Sequence, residues 1–112
     1  MIEIVNAKIR STTIGLEDHG IMTIFIDLDY GNSSQGFGGY ELDNYDKTIK
    51  KRIPHVRLSQ FITQVLKVVG VAKWEDLPGK IIRVKTEHMK CYAIGNVLKD
   101  EWFDPGKELQ YV

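Results

Sequence analysis

A chain of 112 residues, 43% hydrophobic and 27% charged, is long enough for one buried core and too apolar for a disordered segment. Fifteen Lys and Arg cancel fifteen Asp and Glu, which argues against nucleic acid as the partner, since phosphate coating needs a positive excess. The lone Cys91 permits no internal disulfide, no signal-like segment follows Met1, and no run approaches the roughly 18 apolar residues of a membrane span. A single domain spanning residues 1–112, in a reducing cytoplasm and without a membrane partner, is the expectation.

Residues 2–9 alternate loosely, with Ile2, Ile4 and Ala7 among polar neighbours, and predict a first strand. A connection over residues 11–20 follows, ending in the turn sequence Asp18-His19-Gly20. Residues 21–30 give the clearest strand. Met22, Ile24, Ile26, Leu28 and Tyr30 share one face, while Thr23, Asp27 and Asp29 share the other with Phe25 as the exception. One apolar face and one wet face suit an antiparallel sheet.

Residues 31–34 read as a turn, and residues 35–42 as a glycine-rich partner strand. Gly36, Gly38 and Gly39 strip that strand of side chains, so a bulge or a closely approached backbone is expected. Residues 43–55 read as polar and irregular, and Pro54 suits the first turn of a helix. Leu58, Phe61, Ile62, Val65, Leu66 and Val69 then recur at helical spacing, with Gly70 as C-cap. Burying each of these larger side chains contributes roughly 1.5–3 kcal/mol.

Residues 74–80 form a compact turn, and residues 81–87 and 90–98 a hairpin around His88-Met89. Trp102 and Phe103 are expected to fold back over the body rather than stay wet. The fold class is therefore α+β: an antiparallel sheet of about five or six strands with one amphipathic helix packed on a face.

Gly31 to Tyr40 is the one stretch of unusual composition, but it matches neither glycine-loop motif. No helix opens directly after the glycines, as a dinucleotide fingerprint needs, and no Gly-Lys-Ser/Thr follows, as a P-loop needs. Strand packing is its plainer use. The ligand-binding alternative joins it to the basic run that follows. Phe37 and Tyr40 would stack on a base, Lys50, Lys51, Arg52 and Arg57 would hold phosphates, and Gly36, Gly38 and Gly39 would admit the ligand.

Catalysis finds less support. His19, His55 and His88 lack metal-site spacing, so no metal or other cofactor is expected. Asp27 and Asp29 would chelate a hard cation or act as an acid–base pair, with Asp18 and His19 nearby in sequence, but such pairs commonly form the wet face of a strand. Cys91 reads as a buried, inert thiol. An enzyme is not indicated, and no catalytic residue is assigned.

Taken together, Leu16-Glu17-Asp18-His19-Gly20, Gln35-Gly36-Phe37-Gly38-Gly39-Tyr40, Trp74-Glu75-Asp76-Leu77-Pro78-Gly79-Lys80 and Trp102-Phe103-Asp104-Pro105 resemble a family of small uncharacterised proteins encoded by bacteriophages and prophages. The resemblance implies a cytoplasmic protein of an infected or lysogenic bacterium that counters host defence by sequestering a phosphorylated ligand such as a nucleotide signal. Its alternative is a non-enzymatic inhibitor or accessory factor that grips a host or phage protein, through a sheet edge or the Trp102-Phe103 surface. A homo-oligomer suits either reading, because small sheet domains often build sites between subunits.

Overall fold

The longest extended run becomes β1 (Glu3–Glu17), which turns at Asp18, His19 and Gly20 and returns as β2 (Ile21–Asp29). All three turn residues have positive φ, at 45°, 68° and 84°, a bend that Gly and Asp tolerate best. The computed structural model describes residues 1–109. Around this hairpin stand β3 (Ser34–Gly38), β6 (Ile81–Glu87), β7 (Lys90–Gly95) and β8 (Trp102–Phe103), in the order β3-β2-β1-β6-β7-β8. Every neighbouring pair is antiparallel.

A separate hairpin, β4 (Asp43–Asp46) with β5 (Lys51–Pro54), leads into the helix α1 (Arg57–Val69). A 3-10 turn over Trp74–Asp76 and a short C-terminal helix α2 (Pro105–Glu108) complete the elements. The protein is thus α+β, as expected, with the two-stranded hairpin as an addition.

Helix α1 buries Phe61, Val65 and Val68 against the sheet and ends where Gly70, at φ 87°, donates its N–H to the Leu66 carbonyl. Ile24, Ile26 and Leu28 of β2, Phe37 of β3, Ile82 and Val84 of β6 and Ile94 of β7 meet it from the sheet. Trp102 and Phe103 do fold back. They pair with Gly95 and Ile94, and Phe103 is fully buried.

Three local readings change. First, β1 runs through residues 11–17, where a connection is expected from the sequence. A bulge between Ile9 and Ser11 shifts the alternation by one residue. Ala7 and Ile9 face the core before it; Ile14 and Leu16, opposite Ile24 and Met22, lie on that side after it. Second, residues 43–55 are not irregular. Asp46 Oδ1 accepts from the N–H groups of Thr48 and Ile49, at 2.8 and 3.3 Å, and closes the β4–β5 turn. Third, Pro54 ends β5 opposite Asp43 instead of opening the helix, which starts at Arg57.

The glycine-rich strand is shorter than residues 35–42 and ends at Gly38. Gly38 and Gly39 have φ of 128° and 82°, and Gly39 N–H donates to the Ile24 carbonyl at 3.0 Å. A Cβ at Gly38 would overlap that same carbonyl oxygen, whereas at Gly36 it would only touch the Phe25 ring, at 3.9 Å. Gly38→Ala should therefore cost more than the roughly 1–3 kcal/mol of a left-handed residue alone, and Gly36→Ala should be nearly neutral. Urea denaturation midpoints of the two variants measure the difference.

Candidate functional site

Phe25 explains the spacing of the glycines. Its ring, 41% exposed on the outer face of β2, lies across β3 where side chains are missing; a Cβ at Gly39 would stand 3.0 Å from it. Gly38 and Gly39 thus accommodate a close backbone crossing and an aromatic ring of the chain itself, while Gly36 only borders the ring. Phe37 points the other way and is fully buried, with its ring 5.8 Å from Phe61 and 6.4 Å from Phe103. It has no face for a base. Tyr40 is half-buried, its ring 6.4 Å from Phe61, and its carbonyl accepts from the Thr23 hydroxyl at 2.7 Å.

The basic residues separate in the same way. Arg57 is 2% exposed. Its Nε donates to the Glu41 carbonyl at 3.0 Å, and its Nη2 to the Asp43 carbonyl and Asn44 Oδ1 at 2.7 and 2.6 Å. It ties the helix start to β4. Arg52 grips Asp43 with Nε and Nη2, at 2.9 and 2.7 Å, and also bonds Glu41. Both carboxylates raise its pKa, so the guanidinium stays charged. Lys50 and Lys51 remain exposed at the end of the β4–β5 hairpin. The nine expected ligand residues therefore fall into a core ring, a partly covered Tyr40, two tightly approached glycines, the roomier Gly36, two engaged arginines and two open lysines.

What the fold does assemble is a cleft of about 360 Å³. Leu16, Gly20 and Met22 of the β1–β2 hairpin form one wall. Leu42, Ile53, Pro54 and Leu58 form the other, and Asp43, Arg52 and His55 supply the polar groups. Leu16 is 67% exposed at its mouth. His55 is held in place because its Nδ1 accepts the Arg57 N–H at 3.1 Å. An apolar hollow with polar groups at one side is suited to taking an apolar side chain or small apolar ligand.

Leu16 and the β5 residues escape a sequence reading for identifiable reasons. Thr12, Ile14 and Leu16 do alternate, but the bulge puts them out of phase with Ala7 and Ile9. The polar β4–β5 hairpin has no hydrophobic period, and only tertiary packing brings it across from β1.

The remaining chemical groups are engaged elsewhere. Asp27 and Asp29 face Arg10, at 3.6 and 3.8 Å, and Asp29 also accepts the Gly31 N–H at 2.8 Å. Among the described residues no group of three or more His, Cys, Asp or Glu could hold a metal ion. No helix among them is long and apolar enough to cross a membrane. Trp102 lies against Gly95 and is capped by Arg83 and Lys85, at 4.7 and 4.4 Å from its ring centre. No protein-family model, curated protein or solved structure matches the chain.

Two outcomes follow from the titrating groups. Arg52 holds the Asp43 carboxyl below its usual range, against the opposing effect of burial. The folded state then binds fewer protons than the unfolded chain, so this stabilisation is present above the ordinary carboxylate range and lost as pH falls through the depressed value. Asp43→Asn should flatten that part of the acid limb in a pH series of urea midpoints. Burial pushes the Cys91 thiol up to about 12, so a thiol reagent at neutral pH should label the protein only after unfolding.

Proposed function

We propose that this protein is a non-enzymatic binding module that takes an apolar side chain from an extended segment of a partner protein into the cleft between the β1–β2 hairpin and β5. The observation that carries this reading is the cleft's apolar lining, Leu16, Met22, Leu42, Ile53, Pro54 and Leu58, left open where Leu16 is two-thirds exposed. His55 at its side, whose Nδ1 accepts the Arg57 N–H, offers its Nε2–H to a partner's carbonyl. In the phage setting that the sequence motifs suggest, the partner is a host or phage protein, and occupation of the cleft inhibits or assists it.

Peptides selected from a displayed random library test this reading. Selected sequences should share an apolar residue and shift the resonances of Met22, Ile53 and Leu58. Ile53→Lys should weaken them at least about tenfold, equivalent to about 1.4 kcal/mol, while Lys50→Glu with Lys51→Glu leaves them unchanged. The reverse pattern overturns it.

A phosphorylated ligand such as a nucleotide signal is the second reading, favoured by Lys50 and Lys51, which stand open beside the exposed Lys47. Calorimetry with a panel of nucleotides checks it: binding that the Lys50/Lys51 double variant abolishes would support it, and silence across the panel would remove it.

A further inference from the structure

Strand β1 changes neighbours part-way along. Residues Glu3 through Lys8 pair with β6, and Ile9 closes that side by accepting the Gly79 N–H at 2.7 Å and donating to the Lys80 carbonyl at 2.9 Å. From Ser11 to Glu17 the ladder continues only toward β2. Among the described residues, the other edge of residues 11–17 pairs with no strand. Such an edge is a template for another strand, and proteins commonly block it with charge, proline or a bulge. Here the bulge lies before the open segment, and Ser11-Thr12-Thr13-Ile14-Gly15-Leu16 carries neither a charge nor a proline.

The segment is also complementary to itself. Its midpoint is Ile14. An antiparallel alignment that uses the whole edge sets Ile14 opposite Ile14, Thr13 opposite Gly15, Thr12 opposite Leu16 and Ser11 opposite Glu17. Glu17, the one charged residue, thus meets a serine. A two-fold axis through Ile14 and perpendicular to the sheet keeps each face on its own side. Thr12, Ile14 and Leu16 pair across β2 with Ile26, Ile24 and Met22 and so share the core side, where Ile14 is 42% and Leu16 67% exposed. Thr12 is also the residue whose hydroxyl accepts the Trp74 indole N–H, at 2.9 Å. The alignment therefore brings each exposed Leu16 to the side of the other copy's Thr12, beside the partly buried Trp74.

We infer that a second copy of this chain covers the edge, and that the protein is a two-fold dimer joined by antiparallel pairing of residues 11–17. The two sheets become one continuous sheet, with an apolar ridge of Ile14 and Leu16 across the junction. Leu16 belongs to both the ridge and the cleft, whereas Ile14 does not line the cleft, so substitutions at Ile14 test the dimer with the cleft lining intact.

Sedimentation equilibrium with three Ile14 variants tests this. The wild type should be a dimer. Ile14→Lys and Ile14→Glu each set like charges opposite one another across the axis and should be monomers with the wild-type circular dichroism spectrum. Mixed in equal amounts, they should form a heterodimer. Ile14→Cys, whose Cα atoms would lie within disulfide reach of each other, should give a cross-linked dimer under mild air oxidation, and it reads out the edge even where a charged variant fails to fold. A wild type that stays monomeric to its solubility limit, a dimer that survives both charged variants, or an Ile14→Cys protein that does not cross-link would overturn the proposal. Intact peptide binding by Ile14→Lys separates this failure from failure of the cleft reading; loss of binding in Ile53→Lys with dimerisation retained does the converse.

Discussion

Three phenylalanines from distant parts of the chain meet at the centre of the fold. The Phe61 ring of α1 lies 5.8 Å from Phe37 of β3 and 5.2 Å, edge to face, from Phe103 of β8. Phe37 and Phe103 are 6.4 Å apart, again near perpendicular. Such pairs contribute about 0.5–1.5 kcal/mol each beyond the area they bury. More consequential is what they connect, because β3 and β8 stand at opposite ends of the strand order. For both to reach one helix the sheet must curl, and β3 does come close to β7 without a ladder between them. Beside that seam the Gln35 side chain links β3 to β6, accepting from Tyr30 and from Thr86 of β6 at 2.5 and 3.2 Å.

The curl has consequences at both ends of the molecule. The 15-residue β1 is far longer than the 13-residue α1, because a strand rises about 3.3 Å per residue and a helix only about 1.5 Å. Strand β1 therefore runs past the core, and its distal half is left with the open edge and the cleft. The β4–β5 hairpin partly covers this end. It is secured by polar bonds: Arg57 on three acceptors of residues 41–44, and Arg52 across two carboxylates. Removing one partner of such a network leaves the others desolvated and unpaired, so the hairpin depends on all of them together. The cleft and the open edge thus arise where the aromatic core stops, not inside the composition that first draws attention.

The glycine-rich stretch illustrates the distinction. Its composition states that backbone must be approached closely, and a protein ring and a protein carbonyl, Phe25 and the Ile24 C=O, do so. Gly95 repeats the device at the other end of the sheet, where a Cβ would stand 2.6 Å from the Trp102 ring. Glycine tells that space is needed and is silent on what fills it.

Local sequence determined the elements whose patterns are complete within themselves. The α1 stripe with Gly70, the alternation of residues 22–28, the hairpin around His88-Met89 and the α+β class all follow from periodicity and turn chemistry. Tertiary structure alone decided the rest. Whether Phe37 faces a ligand or a core depends on Phe61 and Phe103, and whether Arg52 and Arg57 are open cations depends on acceptors at Glu41, Asp43 and Asn44. The bulge after Ile9 moves Ile14 and Leu16 onto the core side, and the cleft joins residues more than thirty positions apart. A residue's type states which contacts it can make; only the folded chain supplies the neighbours that use them.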